Sequence, residues 1–300
     1  MSSPNSLVLL SHDFSCSSLD LNELRQFYGI ELIKRNKSVR RGDDSVLAVY
    51  LNAINWLFEN NFDYDWLVCL SGQDYPVLPI PEIETFLATT EYDGFINYWD
   101  IYSEKSPWGK EGGQKRYFAK YIKLPEWSKW WLRKMTRIEP FVPFLNIQWR
   151  YALIGLQAHS TPFSDNFKCY GGWYWNTLSK KCVDLLRNYL VKHPELLKYY
   201  RRTLAPEESI VATILANSKE VNICNDCLRY LDFPAELAGC ARNLTTVDYD
   251  KIVNKNFHFA RKFDPKPENN ILDLLDERLN ANASNKAESS NLVRVRECSI

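Results

Sequence analysis

The sequence predicts an α/β fold in which helices cover a mostly parallel central sheet. Its 300 residues are 45% hydrophobic and 25% charged, which is the composition of an ordinary globular protein. Apolar residues recur at helical spacing through 45–60, and the next apolar run, 66–70, is short and continuous, as in a strand buried on both faces. A predicted helix over 81–89 and a strand over 94–98 follow. This alternation is typical of a layered α/β/α domain.

In the second half of the chain, residues typical of helix N-termini predict where two helices begin. Ser179 can cap a helix over 180–192, and Pro206 suits the first position of a helix over 207–217. Residues 103–123 combine glycines with a basic and aromatic cluster, which indicates a surface loop. The remaining predictions are a short amphipathic helix that packs Trp127, Trp130 and Trp131, a strand edge over 171–175, a strand over 228–231, and helices over 247–254 and 270–279.

The domain organisation is predicted from the repeats, linkers and polar stretches that the sequence contains or lacks. No repeat or linker divides 1–279, so we expect one domain there, followed by a flexible polar tail over 280–300. No apolar stretch approaches the ~20 residues that span a bilayer, and no basic region precedes the short apolar run at the start. We expect a cytoplasmic protein without an integral membrane segment, with peripheral attachment to a membrane as the alternative.

Charge and cysteine usage exclude two classes of ligand. Lys and Arg together number 37 and so do Asp and Glu, so the formal net charge is +0 and nothing favours nucleic acid. Eight cysteines are too sparse for a disulfide scaffold. Cys224 and Cys227 have a metal-like spacing, but a structural zinc site needs four ligands and the sequence has no second such pair. We expect reduced thiols and no bound zinc.

Two Asp-x-Asp triplets invite comparison with the divalent-metal motif of nucleotide-sugar transferases. Asp63 and Asp65 precede their predicted strand, whereas Asp248 and Asp250 lie in the first turn of a helix, where acidic residues are favoured electrostatically. Neither pair is placed to hold a metal after a strand, so we expect none. Fixed cations would then have to bind any diphosphate, and the adjacent basic pair at 261–262 could supply them.

Polar residues also occur where a site is expected in an open α/β sheet, beyond the carboxyl end of a strand. Asp74 lies in the segment SGQDYP (71–76), which follows the predicted strand 66–70 and could hydrogen-bond a polar ligand. The same segment is a good turn, and both interpretations stay open. Glu207 and Glu208 start a predicted helix. Adjacent helical carboxylates point about 100° apart, which is unsuited to a glycosidase pair.

Three separated segments carry a family resemblance. They are SGQDYP at 71–76, GGWYWNTLS at 171–179 followed by PEESIVATIL at 206–215, and FARKFD at 259–264. In order and approximate spacing they resemble the core-2 and I-branching β-1,6-N-acetylglucosaminyltransferase family, which also contains peptide O-xylosyltransferases. The resemblance implies a GT-A-like fold and an inverting, metal-independent enzyme without a cofactor. Such an enzyme moves a sugar, N-acetylglucosamine foremost, from a UDP-sugar to a hydroxyl of a glycan acceptor.

The resemblance also assigns roles to residues. Glu208 falls in the Pro-acidic-Glu segment that holds the family's catalytic carboxylate, and Lys262 corresponds to its diphosphate-binding lysine. The other expected donor-binding residues are Arg261, Arg242, Asp74 and Asp13. The expected acceptor-binding residues are Lys115, Arg116, Trp173 and Glu207.

The chain departs from the family pattern near its start. The strand predicted over 7–13 corresponds to the family's second strand, so we expect the family's first N-terminal strand to be missing, and Arg41-Gly42 stands where the family has Trp-Gly. These departures leave open an alternative function, a catalytically impaired carbohydrate- or nucleotide-sugar-binding protein of the same fold. A glycoside hydrolase is a third alternative, although no clear second carboxylate is available for it.

Overall fold

The computed structural model describes residues 5–35, 37–104, 106–234, 239–264 and 270–281. Contacts divide the described residues into two compact units, a larger one of 5–68 and 92–227 and a smaller one of 69–91 and 228–281. The single domain expected over 1–279 stays a prediction. Of the expected tail over 280–300, residues 280 and 281 are helical and the rest lie outside the described residues.

Strands and helices alternate along the chain, which confirms the α/β class. The strands are β1 (Val8–Asp13), β2 (Ile30–Arg35), β3 (Trp66–Val68), β4 (Asp74–Pro76), β5 (Gly94–Asp100), β6 (Ala119–Lys123), β7 (Leu145–Gln148), β8 (Leu153–Gln157), β9 (Tyr170–Ser179), β10 (Ile223–Cys224), β11 (Arg229–Leu231) and β12 (Phe259–Arg261). The helices are α1 (Leu21–Leu24), α2 (Ser45–Glu59), α3 (Ile80–Thr89), α4 (Gly109–Tyr117), α5 (Lys129–Met135), α6 (Lys180–Lys192), α7 (Pro194–Tyr200), α8 (Ile210–Asn217), α9 (Tyr249–Val253) and α10 (271–281).

A four-stranded sheet in the order β10-β5-β9-β3 forms the centre of the larger unit. Three of its strands run in the same direction, as predicted, but β9 is antiparallel to both of its neighbours. The prediction of a strand edge over 171–175 was therefore wrong, because β9 is internal. Its glycines permit close approach, since a Cβ at Gly172 would lie 2.6 Å from the Asn97 carbonyl oxygen.

Helical periodicity and capping predicted the two long helices of this unit correctly. Helix α2 buries Leu47, Tyr50, Ile54 and Leu57, which recur along one face. Helix α6 begins after Ser179, whose side chain accepts a hydrogen bond from the Cys182 N–H.

The surface loop expected over 103–123 is instead helix α4 followed by strand β6. Gly113 lies against Ile101, where a Cβ would come within 2.8 Å of the carbonyl oxygen, and Tyr117 at the end of the helix is fully buried. Tertiary packing therefore outweighs the low helix propensity of the glycines at 112 and 113.

Strand β6 belongs to an antiparallel sheet in the order β6-β8-β7, and α5 packs beside β7. Leu132 of α5 joins a core cluster with Ile147, against which Trp131 packs. The expectation that Trp127 and Trp130 also pack was wrong, because both side chains are exposed.

The remaining sheets are small. Strands β1 and β2 form a parallel pair, which confirms the strand predicted over 7–13. In the smaller unit, β12 pairs in parallel with β11 and antiparallel with β4. Its core contains Val77, Phe263, Ile271 and Leu275, so α10 packs there through its apolar face.

Among the described residues no helix is long and apolar enough to cross a membrane, and the expected cytoplasmic location stays a prediction.

Candidate active site

The predicted catalytic segment is a 3₁₀ turn, Pro206–Glu208, and not the start of the helix expected over 207–217. The α-helix that follows begins only at Ile210. Ala205 precedes the turn with a φ of 46°, a left-handed conformation that few non-glycine residues adopt. Its N–H donates to the Gly42 carbonyl at 2.9 Å. The two glutamates are therefore presented on a turn that a neighbouring loop holds in place.

Glu208 forms an ion pair with Arg116, which lies in the last turn of α4. The two side chains are only 22% and 15% exposed, and the guanidinium carbon lies 4.0 Å from the ring centroid of Trp108. Burial alone would lower the pKa of Arg116, but the Glu208 carboxylate raises it above its usual range. Arg116 is thus a permanent cation that fixes the Glu208 carboxylate against an aromatic ring.

Glu207 has a different environment from its neighbour. Glu207 is only 8% exposed, and its Oε2 atom is buried without a hydrogen-bond partner among the described residues. Burial, together with the adjacent Glu208 charge, raises the pKa of Glu207 well above its usual value. The turn therefore places the buried Glu207, whose pKa is raised, beside the Glu208 carboxylate that pairs with Arg116.

A row of tryptophans leads from this turn across the larger unit. The ring centroids of Trp108 and Trp99 are 5.0 Å apart, and those of Trp99 and Trp173 are 5.1 Å apart. Trp173 was expected to contact an acceptor, whereas Trp99 and Trp108 were missed. Flat aromatic faces beside the carboxylates could bind the apolar faces of sugar rings.

Two other expected residues of the larger unit form local contacts. The Lys115 ammonium forms a 3.2 Å ion pair with Glu139. The Asp13 carboxylate accepts hydrogen bonds from the N–H and Oγ of Ser15, which lower its pKa. Neither contact tests the predicted binding roles.

The smaller unit holds the other expected donor-binding residues. The side chain of Asp74 is completely buried, and its Oδ2 accepts hydrogen bonds from the N–H and Oγ of Ser71 at 2.6 and 2.5 Å. Its Oδ1 lies 3.9 Å from Nε of Arg261, which it faces across the β4-β12 pair. Residues 71–74 therefore form a turn that Asp74 holds, and residues 74–76 continue as β4. Binding of a ligand by Asp74 stays a prediction.

The two remaining cations of this unit differ in their partners. Arg242 is held by Asp232 at 2.7 Å and by both carboxylate oxygens of Asp248, so its charge is already balanced. Lys262 is half-buried, and no carboxylate of the described residues lies within ion-pair distance of its ammonium. Of the two, Lys262 is better suited to bind an anion.

The model of the Core-2/I-Branching enzyme family matches residues 16–257, about four-fifths of the chain. This protein belongs to the Core-2/I-Branching enzyme family. The predicted family resemblance and its GT-A-like fold are thereby confirmed. Within the matched range lie Arg116, Glu207 and Glu208, whereas Arg261 and Lys262 lie just beyond it.

Curated relatives of this family member carry two different activities in their names. Beta-glucuronosyltransferase GlcAT14A of Arabidopsis thaliana is 24% identical over 260 residues, which cover 85% of this chain and 52% of that protein. Xylosyltransferase oxt of Drosophila melanogaster is 25% identical over 279 residues, which cover 85% of this chain and 28% of that protein. The chain thus spans about half the length of the first relative and less than a third of the second.

Asp248, in the second Asp-x-Asp triplet of this family member, has structural partners. Asp248 accepts from Arg242 and from the Thr245 N–H, which completes a capping box before α9. Within the described ranges, no three His, Cys, Asp or Glu side chains come together as metal ligands. Metal independence of any activity stays a prediction.

Proposed function

We propose that this protein is an inverting glycosyltransferase that transfers a sugar from a UDP-sugar to a hydroxyl group of a glycan. The observation that carries the proposal is the turn Pro206–Glu208, on which Arg116 fixes the Glu208 carboxylate beside the buried Glu207, in a member of an enzyme family whose named relatives are glycosyltransferases.

In the proposed reaction Glu208 acts as the general base. It accepts the proton of the acceptor hydroxyl while the acceptor oxygen attacks the anomeric carbon of the donor sugar. The bond from that carbon to the UDP oxygen breaks, and its electron pair leaves with UDP. Attack opposite the leaving group inverts the anomeric centre. Glu207 can donate a hydrogen bond to the acceptor, and the resemblance assigns the charge on departing UDP to Lys262.

The donor sugar is proposed only as a class. The segment resemblance implies N-acetylglucosamine, whereas the names of the relatives favour glucuronate or xylose. A panel of UDP-N-acetylglucosamine, UDP-glucuronate and UDP-xylose, assayed for UDP release with glycan acceptors, identifies the sugar. Release that persists in EDTA supports the proposed metal independence, and loss of release with rescue by Mn²⁺ contradicts it.

One observation favours the second candidate, a protein that binds nucleotide sugars without turning them over. The Arg116 guanidinium pairs with Oε2 of Glu208, so that oxygen is already engaged and less available to accept the proton of an acceptor hydroxyl. Saturable UDP binding in calorimetry with no UDP release from any donor would support this candidate over the enzyme.

A further inference from the structure

Exposed apolar side chains are concentrated in one part of the larger unit, the segment 127–144. In the described part of the chain seventeen large hydrophobic side chains are exposed, and five of them lie within these eighteen residues: Trp127, Trp130, Ile138, Phe141 and Phe144. Trp127 is 68% exposed, Trp130 62% and Phe141 84%. Large aromatic side chains with so little packing point to contact with something outside the chain.

The geometry of α5 explains why these side chains face outward. Leu132 is fully buried in the core beside β7, which fixes the inner face of the helix. Trp130 and Lys134 are four residues apart and share the opposite face, and Arg137 lies exposed in the turn that follows the helix. The Lys134 ammonium lies 4.7 Å from the ring centroid of Trp130. The outer face therefore combines apolar rings with positive charge at close range.

The charge of the segment differs from that of the whole chain. Residues 127–144 contain Lys129, Arg133, Lys134 and Arg137 against a single acid, Glu139, although the chain has a formal net charge of +0. Glu139 is paired with Lys115, which lies outside the segment. Lys129 is likewise paired with Glu126, just outside the segment. The excess of positive charge is therefore carried by Arg133, Lys134 and Arg137, of which Lys134 lies against an exposed ring.

We propose that the segment 127–144 binds the surface of an anionic lipid bilayer. Tryptophan rings are favoured at the boundary between headgroups and acyl chains, and Lys and Arg beside them attract anionic headgroups. A soluble polyanion would account for the cations but not for the exposed apolar side chains. Binding at the bilayer surface needs no membrane-spanning helix, and the proposal does not depend on the proposed enzymatic function.

Two variants of the full chain separate the apolar and electrostatic contributions. One carries Trp127→Ser and Trp130→Ser, and its control carries Phe27→Ser and Tyr28→Ser, which remove two exposed aromatic residues elsewhere. The other carries Arg133→Glu, Lys134→Glu and Arg137→Glu, and its control makes the same charge change at the exposed residues Lys192, Lys198 and Lys219. A melting curve on each protein confirms that it folds.

The measurement is co-sedimentation with vesicles of phosphatidylcholine alone or mixed with phosphatidylserine. We expect the wild type and both controls to bind the mixed vesicles. Each cation near an anionic surface contributes about fivefold to partitioning, so reversing three should weaken binding by roughly 100-fold or more. The tryptophan variant should also lose most of its binding.

Several results would overturn the proposal. These are no binding of the wild type to mixed vesicles, unchanged binding of either segment variant, or equal loss in the controls. Binding to a soluble acidic polysaccharide without binding to vesicles would assign the segment to a polyanion. A wild-type dimer that the tryptophan variant dissociates, without vesicle binding, would assign it to a second copy of the chain.

Discussion

Arg116 and Glu208, which are 92 residues apart in the sequence, form a largely buried ion pair beside the ring of Trp108. The contact joins the last turn of α4 to the turn that carries the proposed general base. The ion pair orients the Glu208 carboxylate and at the same time occupies its Oε2 atom.

Replacing Arg116 should destabilise the protein. Arg116→Gln leaves the Glu208 charge partly buried without its partner, which costs about 3 kcal/mol of unfolding free energy. Lys115→Gln is the matched control, because the Lys115 side chain is 47% exposed and its loss should cost less than about 1 kcal/mol. Urea unfolding of both variants measures the difference. Equal losses would show that the buried pair has no special role in stability.

Glu207 should make stability fall as the pH rises. Its pKa is raised in the folded state above the unfolded value of 4.5, so the folded protein holds the proton more tightly. The stability gained from the protonated form is complete below pH 4.5. It is lost as the pH rises through the folded pKa, by at most about 1.4 kcal/mol for each pH unit. Glu207→Gln should lack this loss. Parallel curves of unfolding free energy against pH for the two proteins would contradict the assignment.

His258 should make stability fall as the pH is lowered, which is the opposite of the effect expected for Glu207. Burial, aided by the charge of Arg229, lowers its pKa from 6.5 to about 4, so the folded state binds the proton less well than the unfolded state. The stability present above pH 6.5 is therefore lost as the pH falls towards 4, by up to about 3 kcal/mol. His258→Phe should flatten this part of the curve. If the variant loses as much stability as the wild type between pH 6.5 and 4, another group is responsible.

Lys262 should contribute to UDP binding. A charge-assisted hydrogen bond contributes about 1.5–3 kcal/mol, so Lys262→Ala should weaken UDP affinity by roughly 10- to 150-fold, with partial rescue by arginine. Lys255→Ala removes an exposed lysine of the same unit and should leave the affinity unchanged. Calorimetric titration of UDP measures both. Affinities of Lys262→Ala and wild type within about threefold would place this ammonium in an ordinary surface role.

Apolar periodicity and capping residues, which can be read from neighbouring positions in the sequence, predicted the helices that they define. Helices α2 and α6 have clear apolar periodicity or a serine cap, and Glu208 lies in a recognisable segment. The Arg116 ion pair could not be predicted in this way, because it depends on a helix containing Gly112 and Gly113 that only tertiary packing stabilises. The exposure of Trp130 was missed for a related reason, since residue type alone favours burial.

The most direct test of the proposed function is the turnover of Glu208→Gln with the donor that the panel identifies. A general base contributes ~10²–10⁴-fold, so UDP release should fall by about that factor while UDP affinity and melting temperature stay near those of the wild type. Glu195→Gln, at an exposed glutamate of the same unit, should retain full turnover. Turnover of Glu208→Gln within a few-fold of wild type would contradict the role of Glu208 as the base.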